Sequence, residues 1–181
     1  MKFAVLVNGV PASGKSTVAR QLAGRTGWPL FALDTVKEAL FAHLGTGDRA
    51  HNRRFGQASY QAIFAVIGDC PEGGAAIIDA WFGFQPEDVL RTHLAQAGVT
   101  DVAQLWCAAP PELIGARYLA RLASRPAGHL GAEYAPELVA LAARAQPLKG
   151  FQTLALDTSA PVDGTLVAEW VMGVRAAGQR R

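Results

Sequence analysis

The sequence predicts an α/β fold in which a parallel five-stranded sheet lies between two layers of helices. Short apolar runs that suit strands alternate with longer helical segments along the whole chain. This alternation is typical of repeated βα units with right-handed crossovers. In addition, 50% of the 181 residues are hydrophobic and only 18% are charged. Such a composition predicts one compact domain spanning residues 1–181.

The strands are predicted from apolar runs that end at glycine, proline or polar residues. KFAVLVN at 2–8 and WPLFAL at 28–33 are nearly continuous apolar segments. Parallel strands that are buried on both faces have this pattern, so both segments are expected to be buried strands. The other strands are predicted at 75–80, 101–109 and 151–157.

The helices are predicted from apolar periodicity and from their start and stop signals. Val36, Leu40 and Leu44 form one apolar stripe, and Gly45 ends that helix. Prolines stand at the start of two later helices, where their missing N–H is tolerated. The predicted helices span 15–27, 34–45, 53–70, 85–98, 110–124, 136–145 and 161–175. GTGDRAHN at 45–52 is expected to be a polar loop, and the terminal GQRR is expected to fray.

The most specific motif joins the first strand to the first helix. GVPASGKS at 9–16 matches the phosphate-loop (P-loop) pattern G-x-x-x-x-G-K-S/T, in the strand–loop–helix setting that the pattern requires. A helix N-terminus offers unpaired N–H groups to an anion, and glycine lets the backbone curl around it. We therefore predict a three-layer αβα P-loop nucleoside triphosphate hydrolase fold. The residues expected to contact the nucleotide here are Gly9, Ala12, Ser13, Gly14, Lys15, Ser16 and Thr17.

The same motif and the third predicted strand contain the candidate residues for binding a metal ion and for lining the site of the phosphate acceptor. Lys15 is expected to reach the β- and γ-phosphates, and the Ser16 hydroxyl is expected to bind Mg²⁺. Asp79 ends the apolar strand AAIID, as a Walker B acid does, and would hold Mg²⁺ or contact substrate; the alternative is an ordinary turn aspartate. The run Trp81-Phe82-Gly83-Phe84 follows and could wall an acceptor site, with Trp81 and Phe82 as the predicted substrate contacts; the alternative is ordinary packing in the core or at an interface.

The charge and the hydropathy of the sequence limit which kinds of binding partner are expected. The net charge is only +2 and no block of five like charges occurs, so nucleic acid is not an expected partner. No apolar run approaches the roughly 18–20 residues that span a bilayer, so we expect a cytoplasmic protein without membrane contact. The guanine-reading N-K-x-D motif is missing as well, which argues against a GTPase.

Five segments together resemble a known group of kinases. They are GVPASGKST, LDTVKEALFAHLG, AAIIDAWF, RYLARLASRPAGH and LALDTSAPVD. The chain resembles the small-molecule kinases of the P-loop class, in particular the group of chloramphenicol phosphotransferase, gluconate kinase and polynucleotide kinase domains. The resemblance implies a kinase-like fold with a short lid at about 121–135, and ATP and Mg²⁺ as substrate and cofactor.

The resemblance also implies roles for individual residues. Asp34 would accept the proton of the acceptor hydroxyl, with the alternative that it belongs to a helix cap with Thr35 and Glu38. The four-residue spacing of Arg117, Arg121 and Arg125 predicts that they share one helical face. The resemblance implies that Arg117 lies near the adenine and that Arg121 and Arg125 close over the transferring phosphate; the alternative is a solvent-exposed arginine face. The remaining implied contacts are Arg117, Thr158 and Ala160 for the nucleotide, and Lys37, Arg53 and His129 for the acceptor.

The expected function is transfer of the γ-phosphate of ATP to a hydroxyl of a small molecule such as an antibiotic, a sugar or a sugar acid. One alternative is a nucleotide or polynucleotide 5′-kinase, for which Arg49, Arg53 and Arg54 are the candidate phosphate contacts. An alternative of another class is a nucleotide-binding regulatory module with little turnover. The sequence leaves the acceptor open, and either a monomer or a homodimer is expected.

Overall fold

In the computed structural model, which describes residues 1–180, five parallel strands form one sheet. The strands are β1 (Lys2–Asn8), β2 (Leu30–Ala32), β3 (Ala75–Asp79), β4 (Val99–Ala108) and β5 (Gln152–Asp157). Their order in the sheet is β2-β3-β1-β4-β5, so β1 lies at the centre with β3 and β4 on its two sides. The predicted α/β fold with a parallel five-stranded sheet is confirmed.

Helices cover both faces of this sheet. They are α1 (Lys15–Thr26), α2 (Leu33–Leu44), α3 (Arg49–Asp69), α4 (Glu87–Gln96), α5 (Pro111–Ala120), α6 (Ala135–Arg144) and α7 (Gly164–Gly178). Leu22 of α1 and Val171 of α7 pack against Val5 on one face. Ile63 of α3 and Leu90 of α4 pack in the core on the other face. Within residues 1–180, no helix combines the length and the apolar character needed to cross a membrane.

The second strand is shorter and less buried than predicted. β2 has 3 residues and lies at the edge of the sheet, where it pairs with β3. Leu30, Phe31 and Ala32 are all partly exposed. The expectation that WPLFAL is buried on both faces is met only in part: Leu30 packs against the core on one face and Phe31 against the core on the other, but both side chains stay partly exposed at the edge of the sheet.

Two helix starts also differ from the prediction. α2 begins at Leu33, so Asp34 lies in the first turn of the helix. α3 begins at Arg49, because the Asp48 side chain accepts a hydrogen bond from the His51 backbone N–H and caps the helix. The second half of the predicted polar loop is therefore helical.

The chain after α5 departs from the predicted helix in a way that affects the site. α5 ends at Ala120, and a short 3₁₀ turn follows at Leu122–Ser124. Of the three arginines predicted to share one helical face, only Arg117 lies in α5, so that prediction is wrong. At the end of the chain, α7 continues to Gly178, and Arg181, within the predicted frayed tail, lies outside the described residues.

Candidate active site

The phosphate loop connects β1 to α1 and has the backbone that its glycines allow. Gly9 has a φ of 150° and Gly14 a φ of 82°. A Cβ atom on Gly9 would stand 2.4 Å from the Cys107 carbonyl oxygen, which is closer than any real Cβ contact. Ala12, with a φ of 66°, is the one non-glycine residue with a positive φ among residues 1–180. The loop is therefore held in a tight curl by the end of β4.

The N-terminus of α1 is left free to bind an anion. Gly14 precedes the helix, no side chain caps it, and its first turn contains no acidic residue. Lys15 folds back over the loop, with Nζ 3.4 Å from the Val10 carbonyl oxygen. The unpaired N–H groups and the lysine thus face one concave surface, which is the arrangement that a polyphosphate needs. Ser13 is fully buried and Thr17 is exposed.

Asp79 stands beside this loop at the end of β3. It is 5% exposed, and within residues 1–180 its Oδ1 atom has no hydrogen-bond partner. β3 pairs with β1 so that Asp79 lies opposite Val7, two residues before Gly9. Asp79, Lys15 and Ser16 line the same cavity. A buried carboxylate oxygen without a partner and a nearby hydroxyl are oxygen donors of the kind that Mg²⁺ prefers, so these residues fit a magnesium ion.

Asp34 lies across the cavity in the first turn of α2. Its carboxylate is 3.3 Å from Lys37 Nζ and 3.4 Å from Arg125 Nη2. α2 has no side-chain cap, since its N-cap position is Ala32. The alternative interpretation of Asp34 as a capping residue therefore finds no capping hydrogen bond.

The cations around Asp34 change its acidity. Burial acts to raise its pKa, but the charges of Lys37, Lys15, His129 and Arg125 together outweigh burial and lower the pKa from 3.8 to about 2. The carboxylate is thus ionised at neutral pH. It is also 52% exposed, so a small molecule entering the cavity can reach it.

A cavity of about 240 Å³ joins the phosphate loop to a cleft beside Asp34. It brings together nine of the predicted site residues: Lys15, Ser16, Asp34, Lys37, Arg53, Asp79, Trp81, Arg125 and His129. Arg121 and Phe82 do not line it. The cavity therefore joins the predicted phosphate site to the predicted acceptor site.

Two of the three aromatic side chains in the predicted acceptor wall line the cavity, namely Trp81 and Phe84. Phe82 is 2% exposed and its ring packs against Tyr60 in the core, so the prediction that its side chain contacts an acceptor is wrong. Residues 82–84 form a 3₁₀ turn, which directs the first phenylalanine inward and the second toward the cavity. The Trp81 ring lies directly over Gly83, where a Cβ atom would stand 2.1 Å from Cζ2.

The arginines are arranged differently from the predicted lid. Arg125 is the one that contacts Asp34, and its side chain is 15% exposed. Arg121 lies 5.9 Å from the ring centre of Tyr118, and its Nε atom has no hydrogen-bond partner. Burial, followed by repulsion from Arg125, lowers the pKa of Arg121. In this conformation Arg121 therefore stands behind the cavity wall, which does not match its expected contact with the phosphate.

The predicted adenine contacts occupy the other side of the phosphate loop. The Thr158 hydroxyl is buried and donates to the Ser13 carbonyl oxygen at 2.7 Å, so it supports the loop from behind. Arg117 donates to the Thr158 carbonyl oxygen at 2.8 Å, whereas its Nη1 atom is buried without a partner. Of the three residues, Ala160 alone is exposed, Arg117 is half-buried, and Thr158 is buried against the loop.

His129 and Arg53 line the acceptor end of the cavity, together with residues that the sequence analysis did not single out. His129 Nε2 is 2.7 Å from Glu38 Oε1. Burial, followed by the charges of Lys37 and Arg125, lowers the pKa of His129. Glu38 could have been found from its spacing of four residues after Asp34 on one helical face. Glu38 does not itself line the cavity; the lining residues that were not predicted include Asn52, Tyr118 and Tyr134.

Comparison with known proteins agrees with this fold. A family model described as AAA domain matches residues 5–147. No curated protein matches the chain significantly. Among solved structures, a protein of Chloroflexus aurantiacus J-10-fl to which kinase activity has been ascribed is 26% identical, with a TM-score of 0.84, and the match covers 96% of this chain and 97% of that chain.

Two kinases of known substrate show the same fold at lower identity. The APS kinase CysC of Mycobacterium tuberculosis, solved with AMPPNP and APS, is 19% identical with a TM-score of 0.60, covering 96% of each chain. A gluconokinase of Sinorhizobium meliloti 1021 is 15% identical with a TM-score of 0.57, covering 96% of this chain and 91% of that one. The matched family model spans well over half of the sequence, so this chain belongs to the AAA domain family, and its structural neighbours are P-loop small-molecule kinases.

Proposed function

We propose that this protein transfers the γ-phosphate of ATP to a hydroxyl group of a small molecule, in a Mg²⁺-dependent reaction. One observation carries the proposal. A single cavity is lined at one end by Lys15 and Ser16 of the phosphate loop, and at the other by the ionised carboxylate of Asp34. Phosphoryl transfer needs this arrangement, because the acceptor oxygen must be held in line with the phosphorus.

The phosphate loop would hold the nucleotide. The free N–H groups at the start of α1 would donate to the phosphate oxygens, and Lys15 would pair with the β- and γ-phosphates. Ser16 and Asp79 would hold Mg²⁺, which supplies charge neutralisation at the transferring phosphoryl group. The unpartnered Oδ1 atom of Asp79 would thereby gain a ligand.

Asp34 would act on the acceptor. The acceptor oxygen attacks the γ-phosphorus, the bond from this phosphorus to the β–γ bridging oxygen breaks, and ADP leaves. The proton of the acceptor hydroxyl passes to the Asp34 carboxylate. Arg125, already 3.4 Å from Asp34, would offset negative charge on the transferring group. Arg121 would need to move to take part, since it does not line the cavity.

The lining of the acceptor end favours a small ring-bearing or hydroxylated molecule over a polynucleotide. Trp81 and Phe84 offer apolar surface. A polynucleotide would need a track of uncommitted cations, but Arg49 is paired with Glu137 at 2.6 Å. Arg53 lines the cavity and Arg54 is exposed. Of the three arginines that could contact the phosphates of a polynucleotide, these two therefore remain available.

The proposal is tested by ADP formation with pooled small hydroxylated compounds, next to calorimetry with Mg·AMPPNP. We expect nucleotide binding without acceptor and acceptor-stimulated ADP formation, with both reduced by Lys15→Ala. Tight nucleotide binding with no response to any acceptor pool would support the regulatory module instead. No nucleotide binding by folded protein would overturn the proposal altogether.

A further inference from the structure

A chain of buried amides lies behind the phosphate loop and takes no part in the proposed chemistry. Asn8, the last residue of β1, is 1% exposed. Its Oδ1 atom accepts two hydrogen bonds, from the Gly9 N–H at 2.8 Å and from the Phe82 N–H at 3.2 Å. Gly9 opens the phosphate loop, and Phe82 belongs to the segment 80–84, which we call the acceptor wall because Trp81 and Phe84 in it line the cavity.

The orientation of the Asn8 amide is fixed by partners further along the chain of amides. Asn8 Nδ2 donates to Gln104 Oε1 at 3.0 Å, and the same oxygen accepts the Leu148 N–H at 3.0 Å. Gln104 Nε2 donates to the Leu148 carbonyl at 3.1 Å and to Thr153 Oγ1 at 2.7 Å. The Thr153 hydroxyl donates to the Phe151 carbonyl, so it must accept from Gln104. Only one orientation of each amide satisfies all these bonds.

Neither leucine nor aspartate, the residues nearest to asparagine in size, would make the same set of bonds at position 8. Leucine has a similar size but would leave the Gly9 and Phe82 N–H groups without their partner. Ionised aspartate would accept both bonds but has no donor for Gln104 Oε1. Burying polar groups is unfavourable unless they are paired, and here each one is. The amide of Asn8 is therefore needed for these hydrogen bonds, and packing of the sheet alone would not require an asparagine at this position.

We propose that Asn8 is a positioning residue that transmits nucleotide binding from the phosphate loop to the acceptor wall. The inference rests on the proposed function, since it takes 9–16 as the nucleotide site and 80–84 as the acceptor wall. One oxygen accepts from both segments, so a bound phosphate that restrains Gly9 also restrains Asn8 and the N–H of Phe82. Asn8 itself touches neither nucleotide nor acceptor.

Amide hydrogen exchange of the full chain, with and without saturating Mg·AMPPNP, tests this link. In the wild type we expect the nucleotide to slow exchange of the Phe82 amide by about fivefold, the effect of strengthening one hydrogen bond. Amides of α4, which lie outside the link, serve as the internal reference and should not change. Nucleotide binding without protection of the Phe82 amide would overturn the inference and leave the proposed function intact.

Two variants separate positioning from a general structural role. Asn8→Ala should still bind Mg·AMPPNP, within about tenfold by calorimetry, but should lose the protection at 80–84. Thr153→Val is the matched control, because it removes a partly buried hydroxyl group that bonds to the same chain of amides and leaves both bonds of Asn8 Oδ1 in place. It should keep the protection. Equal loss of this protection in both variants contradicts the inference, and so does retained protection in Asn8→Ala. If Asn8→Ala does not fold, the comparison of the wild type with and without Mg·AMPPNP decides. A wild type that binds no Mg·AMPPNP overturns the proposed function itself.

Discussion

Asp34→Asn removes one negative charge from the cavity and keeps the shape of the side chain. Lys37 and Arg125, now 3.3 and 3.4 Å from the carboxylate, would lose their anionic partner. We expect acceptor-dependent turnover to fall by about 10²-fold or more, because a positioned proton acceptor contributes on that scale. Affinity for Mg·ATP should change little, since the phosphate loop keeps all its own contacts.

The same substitution has a predictable effect on stability. The pKa of Asp34 falls from 3.8 to about 2 in the folded protein, which corresponds to an upper limit of about 2.4 kcal/mol. The side chain is 52% exposed, so solvent screening reduces the expected loss to about 1 kcal/mol. Because the folded pKa is the lower one, this contribution is present above about pH 4 and is lost as the pH falls toward about 2. The variant should be less stable than the wild type at pH 7, and the difference should shrink below pH 4.

Turnover, nucleotide affinity and unfolding are measured separately, by ADP release, calorimetry and urea denaturation. Asp48→Asn is the matched control, because Asp48 also stands at the start of a helix but does not line the cavity, and asparagine caps a helix as well as aspartate does. Turnover of Asp34→Asn within about threefold of the wild type, with nucleotide still bound, would refute the assignment of Asp34 as proton acceptor.

Three further substitutions test other parts of the site. Lys15→Ala should abolish ADP formation at saturating ATP, because the β- and γ-phosphates lose their cation; measurable activity would contradict the site assignment. Gly9→Ala should destabilise the protein by roughly 1–3 kcal/mol and weaken Mg·AMPPNP binding, because its Cβ would stand 2.4 Å from the Cys107 carbonyl oxygen at a φ of 150°; unchanged melting would show that the loop can shift. Gly83→Ala should displace the Trp81 ring, whose Cζ2 atom lies 2.1 Å from the new Cβ, and so raise the acceptor KM and shift the tryptophan emission while Mg·AMPPNP binding stays constant.

The sheet and the phosphate loop could be predicted because their signals are local in the sequence. Continuous apolar runs marked the strands, and the loop motif fixed where the central one ends. The length and the burial of β2 were overestimated, because a run of apolar residues does not show that its strand lies at the edge of the sheet. The start of α3 was missed because a single side chain, Asp48, decides it.

The aromatic wall and the arginines could not be placed from sequence for a different reason. In the run Trp81–Phe84, the side chain that faces the cavity depends on the 3₁₀ turn, and the letters alone are compatible with several arrangements. Arg125 contacts Asp34 across 91 positions of sequence. A four-residue spacing predicts a shared face only while the helix lasts, and α5 ends before Arg121. Contacts of this kind are set by tertiary packing, which no local pattern records.

The charges around Asp34 bear on the order of events in the proposed reaction. A carboxylate with a pKa of about 2 is a weak proton acceptor, and Lys15 is one of the cations that hold the pKa down. Lys15 is also the residue that would pair with the phosphates. In the proposed complex, phosphate oxygens would share Lys15 and Arg125, and these cations would then attract the carboxylate less, which would raise the pKa of Asp34. Asp34 would on this account be a stronger base with nucleotide bound than without it.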